Sequence, residues 1–326
     1  MTPGVSREWA RGLPKAEVHV HLEGSLPPSL VAAAGDPAFR DLGEFLAYLD
    51  AACRLVTTAD QVASAGYAVA SRAQDAGVRY VDLIWNPTHW PAWRDRTGAF
   101  IDALDAGLRS AASDGLPPVG LCVSLKRSQS ASEAMGLVEH LIEMHHPRVV
   151  ALSIDGNEAA AGRTGPRFAP AFDRARAAGL HCCAHAGESS GPEGVRDALE
   201  FLGAERIDHG VRAIEDPSLV AQLASAGTPL DVCPTSNLRL GLAPSLGEHP
   251  VDRLYRAGVR VSLNTDDPVL FGATVDGEYE SCAGAFGWGR DDLVAVARTS
   301  IESSFAEPGL RQDLLRDLSA YVGPGS

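Results

Sequence analysis

Apolar positions along the chain gather into short runs rich in Val, Ile and Leu, separated by longer stretches where apolar residues recur at helical spacing. Continuous runs of this kind suit strands buried on both faces of a parallel sheet. Eight are legible, near Glu17–Leu22, Tyr80–Trp85, Val119–Leu125, Val149–Ile154, His181–His185, Arg206–Asp208, Pro229–Cys233 and Val259–Asn264. The stretches between them carry helix ends. Thr58-x-x-Gln61 and Ser130-x-x-Glu133 read as capping boxes, and Asp216-Pro217 starts a helix that Gly227 stops. Eight βα units with no linker between them predict a single α/β domain over residues 1–326, a (β/α)8 TIM barrel rather than two doubly wound halves. A doubly wound sheet would carry G-x-G-x-x-G after its first strand, where His21-Leu22-Glu23-Gly24-Ser25 stands instead.

Composition narrows the partners. Of 326 residues, 45% are hydrophobic and 21% charged, and no apolar run reaches the ~18 residues of a membrane span. Lys and Arg number 28 against 42 Asp and Glu, for a formal charge of −14. A field of that sign repels phosphate backbones and anionic bilayers, so the expected partner is a small molecule, with no nucleic acid polymer and no membrane. Nothing in the pattern fixes an oligomeric state. Residues 1–15 lack the apolar segment of a secretory signal, and the six cysteines form no C-x-x-C pair, which points to a reduced, cytoplasmic setting.

In such a barrel the chemistry sits at the C-terminal ends of the strands. The first strand ends in His19-Val20-His21, and a period of two turns both imidazoles to one side, as two ligands of one metal require. The fifth ends in His185-Ala186-Gly187-Glu188, the sixth in Asp208-His209-Gly210, the eighth in Asn264-Thr265-Asp266-Asp267-Pro268. Four of the ten histidines thus fall at strand ends beside carboxylates, whereas His140, His145, His146 and His249 fall in helices or loops and read as solvated surface. Three imidazoles and one carboxylate suit Zn2+, which keeps a position open for water and lowers its pKa. Glu188 and His209 remain for proton transfer, a division of labour that hydrolytic removal of an amino group requires.

Taken in order, five segments resemble the adenosine/adenine deaminase family, within the amidohydrolase superfamily. They are Leu13-Pro14-Lys15-Ala16-Glu17-Val18-His19-Val20-His21-Leu22-Glu23-Gly24-Ser25, Ala184-His185-Ala186-Gly187-Glu188, Arg206-Ile207-Asp208-His209-Gly210-Val211, Val232-Cys233-Pro234-Thr235-Ser236-Asn237 and Asn264-Thr265-Asp266-Asp267-Pro268. The resemblance implies a (β/α)8 aminohydrolase of purine metabolism with one Zn2+ per chain, held by His19, His21, His185 and Asp266. It further implies that metal-activated water attacks C6 of a 6-aminopurine base, nucleoside or derivative. Glu188 would protonate ring N1, and His209 would orient the nucleophile and stabilise its charge. Asp267 would contact purine N7 and the backbone N–H of Gly156 would contact N3. Glu23, where adenosine deaminases usually carry Asp, resembles the adenine and aminodeoxyfutalosine deaminase branches and would also face substrate.

Several positions depart from the family pattern. The usual D-L-A-G-D-E of the fourth strand reads Ser153-Ile154-Asp155-Gly156-Asn157-Glu158, and the second strand has Ile84-Trp85-Asn86-Pro87 where an Arg usually precedes the aromatic. Loss at Ile84 and Ser153 together reads as loss of one ion pair. The stretch Ser25–Glu44, which in relatives includes lid helices, looks short and predicts a more open pocket, while His89-Trp90-Pro91-Ala92-Trp93 adds aromatics after the second strand. These departures point away from adenosine as the best substrate. Two other readings compete. A two-metal barrel hydrolase of esters or cyclic amides would place a carboxylated Lys on the fourth strand, and neither Lys15 nor Lys126 lies there. A catalytically silent ligand-binding barrel would have no use for Glu188, His209 and the four ligands.

Overall fold

The computed structural model describes residues 5–34, 39 and 41–323. All eight strands inferred from the apolar runs are present: β1 Lys15–His21, β2 Val78–Trp85, β3 Val119–Lys126, β4 Val149–Asp155, β5 His181–Ala186, β6 Arg206–His209, β7 Leu230–Val232 and β8 Val261–Leu263. They pair in parallel in sequence order. A parallel bridge between Val20 and Asp266 brings β8 back to β1. There His21 N donates to the Asp266 carbonyl at 2.7 Å and Asp266 N to the His19 carbonyl at 3.1 Å. Asn264 Oδ1 also accepts the N–H groups of Val18 and His19, at 2.8 and 3.2 Å. The fold is the expected (β/α)8 barrel.

The helix ends follow their local chemistry. Both capping boxes form, at Thr58 and Ser130. The Asp216 carboxylate caps helix Pro217–Ala226, which stops where Gly227 takes φ 70°. β7 is short because Pro234 at once opens helix Pro234–Arg239, and that early turn brings Ser236 and Asn237 to the barrel mouth.

The barrel interior holds buried charged groups, two of whose carboxyls share one guanidinium. The buried Arg206 guanidinium lies 2.7 Å from Asp82 and 3.0 Å from Asp231, and its Cζ stands 3.9 Å from the Phe305 ring centroid. Pairing of this kind lets carboxylates stay buried. Ile84 joins a small apolar cluster with Cys122, Ala151, Cys183 and Phe305, and the Ser153 hydroxyl is buried without a partner. Neither position carries charge, and the ion pairing of the interior is concentrated on Arg206. All six cysteines are buried and unbridged. Among the described residues, no helix is long and apolar enough to cross a membrane.

Candidate active site

At the C-terminal mouth of the barrel, four side chains from three strands converge. His21 Nε2 lies 2.9 Å and His19 Nε2 3.1 Å from His185 Nε2. Asp266 Oδ1 stands 3.2 Å from His19 Nε2 and 3.4 Å from His21 Nε2. In a tetrahedron of 2.0–2.1 Å bonds the ligand atoms stand about 3.3–3.4 Å apart, and these four separations, 2.9–3.4 Å, are close enough for the atoms to share one small metal ion. The second shell of contacts also agrees with a metal. His19 Nδ1 faces the Asp231 carbonyl at 2.9 Å, an acceptor only, so this nitrogen carries the proton and Nε2 turns a lone pair to the centre. His185 Nδ1 is 3.2 Å from the Asp208 carboxylate.

Backbone strain helps to build the centre. Among the described non-glycine residues, positive φ occurs at His145, His209 and Asp266, and two of these belong to the site. Such conformations persist where surrounding structure holds them. At Asp266, φ 65° turns the carboxylate inward, where Ser236 donates to Oδ2 at 2.6 Å and leaves Oδ1 for the cluster.

Glu188 and His209 stand beside the four ligands. Glu188 Oε1 is 3.5 Å from His209 Nε2, which is 3.8 Å from Asp266 Oδ2. Burial, reinforced by the negative charges of Asp266 and Glu158, pushes the Glu188 carboxyl up to about 8. Its backbone is clamped by Glu158, whose carboxylate accepts N–H groups of Gly187, Glu188 and Ser190 at 3.2, 2.9 and 3.3 Å. Arg127 lies 3.9 Å from Glu158 and also donates to the His185 carbonyl.

The pocket in front of this centre is lined by Glu23, Asp155, Gly156 and Asp267 on one side and Leu42, Phe45, Leu46, Leu49 and Leu240 on the other. The cavity volume is about 40 Å³, so the side chains close tightly over the centre. Glu23 Oε1 accepts from Asn86 N at 2.9 Å and Trp90 Nε1 at 2.8 Å, whereas its Oε2, 3.9 Å from His21 Nδ1, and Asp267 Oδ1 are buried without a hydrogen bond. Burial raises the Glu23 carboxyl to about 7. Burial, then the charges of Asp266 and Glu23, holds Asp267 well above the usual range. Asp155 Oδ1 accepts from Asn86 Nδ2 at 2.5 Å. Every residue singled out in the sequence as ligand, acid or substrate contact therefore meets at one mouth.

Three expectations change. His249 is not solvated surface: it is 2% exposed, and Nε2 sits 3.0 Å from Asn237 Oδ1, because the loop carrying it folds back over helix Pro234–Arg239. The segment after Ser25 does not leave the pocket open on its side, since helix Leu42–Cys53 lays its apolar face over it and Phe45 stacks on Phe271 at 4.9 Å. Residues 35–38 and 40 of that stretch lie outside the described residues. Of the aromatics after the second strand, His89 reaches the pocket, while Trp90 holds Glu23 and Trp93 donates to the Val56 carbonyl. Sequence reasoning missed Glu158, Ser236 and Asn237. All three lay inside quoted segments, which was the available signal.

A cluster of histidine and aspartate donors at the C-terminal mouth of a (β/α)8 barrel, with a buried acid beside it, defines a barrel enzyme built around a metal centre. The family model "Adenosine deaminase" matches residues 36–321. The chain is 35% identical to an adenine deaminase of Rhizobium johnstonii over 317 residues, 93% of this chain and 98% of that one. It is 34% identical to an aminodeoxyfutalosine deaminase of Streptomyces avermitilis over 331 residues, 95% and 92% of the two chains. The crystal structure of an adenine deaminase from Arthrobacter aurescens superposes with a TM-score of 0.88 at 30% identity, covering 95% of this chain and 99% of that one. An amidohydrolase structure from Burkholderia ambifaria, described with bound Zn, gives 0.85 at 26% identity, covering 98% and 95%. The chain belongs to the adenosine deaminase family.

Proposed function

We propose that this chain is a cytoplasmic enzyme of purine metabolism, one domain with one Zn2+ per chain, that hydrolytically removes the amino group of an uncharged 6-aminopurine and releases ammonia. The carrying observation is the convergence of His19, His21, His185 and Asp266 at 2.9–3.4 Å beside a buried acid, Glu188. Those four would hold the metal, which supplies a water acidified toward neutrality. Glu188, protonated at neutral pH, delivers its proton to the ring nitrogen next to the amino-bearing carbon, so the ring accepts electron density without gaining charge. His209 Nε2 lies within reach of the same space and stabilises negative charge developing on the attacking oxygen. Neither lysine lies on the fourth strand, where a two-metal bridge would stand, and Lys15 donates to the Ala10 and Leu13 carbonyls at the other end of β1.

The substrate class follows from the pocket walls. Among the described residues lining it there is no Lys or Arg, whereas Glu23, Asp155 and Asp267 are carboxyls. Away from the metal ligands, a phosphate would meet no Lys or Arg among those residues and at least three carboxyl groups, while His89 is already engaged by Asp50 at 2.6 Å. Glu23 Oε2 and Asp267 Oδ1, buried and without a hydrogen bond, call for ring N–H groups or hydroxyls. A free base such as adenine offers ring N–H on its imidazole edge, and the Leu42–Leu49 face covers its flat surface. A panel of adenine, adenosine, 5′-modified adenosines, aminodeoxyfutalosine and adenosine monophosphate, followed by ultraviolet absorbance and ammonia release, tests the reading. Deamination of an uncharged member with the monophosphate at least about 10²-fold slower in kcat/KM, some 2.7 kcal/mol, is expected. Preference for the monophosphate, or for aminodeoxyfutalosine with its ionised carboxyl group, would refute the uncharged substrate class, and ammonia from no member would refute the activity.

A further inference from the structure

A chain of hydrogen bonds runs from the backbone behind the site to His209, and its direction is dictated at one end. Val251 N–H points at His249 Nδ1, 3.1 Å away. A backbone N–H can only donate, so this ring nitrogen carries no proton. Burial lowers His249 to about 4, which leaves the ring neutral with its one proton on Nε2. Nε2–H then donates to Asn237 Oδ1 at 3.0 Å. With its oxygen so engaged, Asn237 turns its NH2 group to His209 Nδ1, 3.2 Å away. The reverse amide orientation fails on its own terms, since His249 would have to accept at both nitrogens.

We propose that His249 and Asn237 are positioning residues that hold His209 as the neutral tautomer protonated on Nε2. Asn237 places a donor against His209 Nδ1, so this nitrogen must accept, and both the other tautomer and the imidazolium would set N–H against N–H. The proton is thereby kept on Nε2, facing Glu188 Oε1 at 3.5 Å and Asp266 Oδ2 at 3.8 Å, the latter a carboxylate that can only accept. The strained φ of 66° at His209 is consistent with a ring fixed from behind. His209 thus meets the attacking oxygen as a donor from the outset, with no proton to relocate first. This inference deepens the role given to His209 above and rests on that reading for its catalytic consequence, though not for the tautomer itself.

The test is proton–nitrogen correlation NMR on the zinc-loaded full-length chain labelled at histidine nitrogen, with His209 assigned by its loss in His209→Gln. Wild type should show Nε2 protonated and Nδ1 bare. Asn237→Asp, nearly isosteric but an acceptor only, should move the proton to Nδ1 and lower kcat by about 10²- to 10⁴-fold, the range a wrong histidine tautomer costs in a triad, with KM and zinc content little changed. His249→Gln, which keeps a donor for Asn237 Oδ1, should preserve the wild-type spectrum and most of kcat. His249→Leu should give mixed tautomers and a lower kcat. Should Asn237→Asp fail to fold, the wild-type spectrum and the His249 pair decide the matter. A wild-type His209 protonated on Nδ1, or a tautomer indifferent to both substitutions, would overturn the inference. A tautomer that moves as expected while kcat stays constant would uphold the positioning and overturn the catalytic role of His209.

Discussion

Glu188 has the environment of an acid rather than of a ligand. It stands 3.5 Å from His209 and is buried, and its carboxyl is raised to about 8, so it is protonated at neutral pH and ionises as pH climbs. Activity that needs the protonated form is full below that value and is lost above it, so kcat/KM should fall tenfold per pH unit beyond about pH 8. A pH–rate profile flat to pH 10 would contradict the assignment. Glu188→Gln keeps shape and hydrogen bonding but has no acidic proton, and a loss of at least about 10²-fold in kcat is expected with zinc retained, checked by metal analysis alongside steady-state kinetics. His19, His21, His185, Asp266, Glu188 and His209 were legible in the sequence because strand ends in a barrel must converge. His249 was not, since a histidine in a loop looks alike whether the loop is solvated or folded inward, and its burial is decided by packing against Asn237. Glu158 stood in the quoted fourth-strand segment, but its role was not legible there because it acts through three backbone N–H groups of a segment about thirty residues away.

Strands and helix caps were the most legible elements. β1 to β8 appear within two residues of their apolar runs, because a strand covered on both faces keeps its outward, helix-facing positions apolar even where polar side chains point into the barrel. The element read least well was helix Leu42–Cys53, since a lid is recognised by what it covers. Its Asp50 lies 2.6 Å from His89 Nδ1, tying the helix to the loop after β2. Asp50 is about one-third exposed, so solvent discounts the pair to about 1 kcal/mol or less. Asp50→Asn should loosen the cover and raise KM by up to about fivefold, with kcat and zinc content nearly unchanged. A KM identical to wild type would show that the apolar face alone keeps the helix in place.

At the scale of the whole molecule, the barrel joins elements at both ends of its order through one cluster: β1 gives His19 and His21, β5 gives His185, and the turn after β8 gives Asp266. A metal bound there ties three strands together, so binding should appear as stability. At zinc concentrations 100-fold above its Kd, the stabilisation amounts to about 2.7 kcal/mol, visible as a higher Tm than that of chelator-treated protein. His185→Ala should lose zinc, activity and this increment together, and stoichiometric zinc in that variant would refute the ligand set.

One measurement addresses the central claim directly: titration of the chelator-treated chain with Zn2+, following ammonia release from adenine or whichever uncharged aminopurine the panel favours. Activity should rise linearly and break at one equivalent of zinc per chain. A break at two equivalents would install a two-metal centre in place of the one described, and full activity without added metal would remove the metal from the reaction altogether.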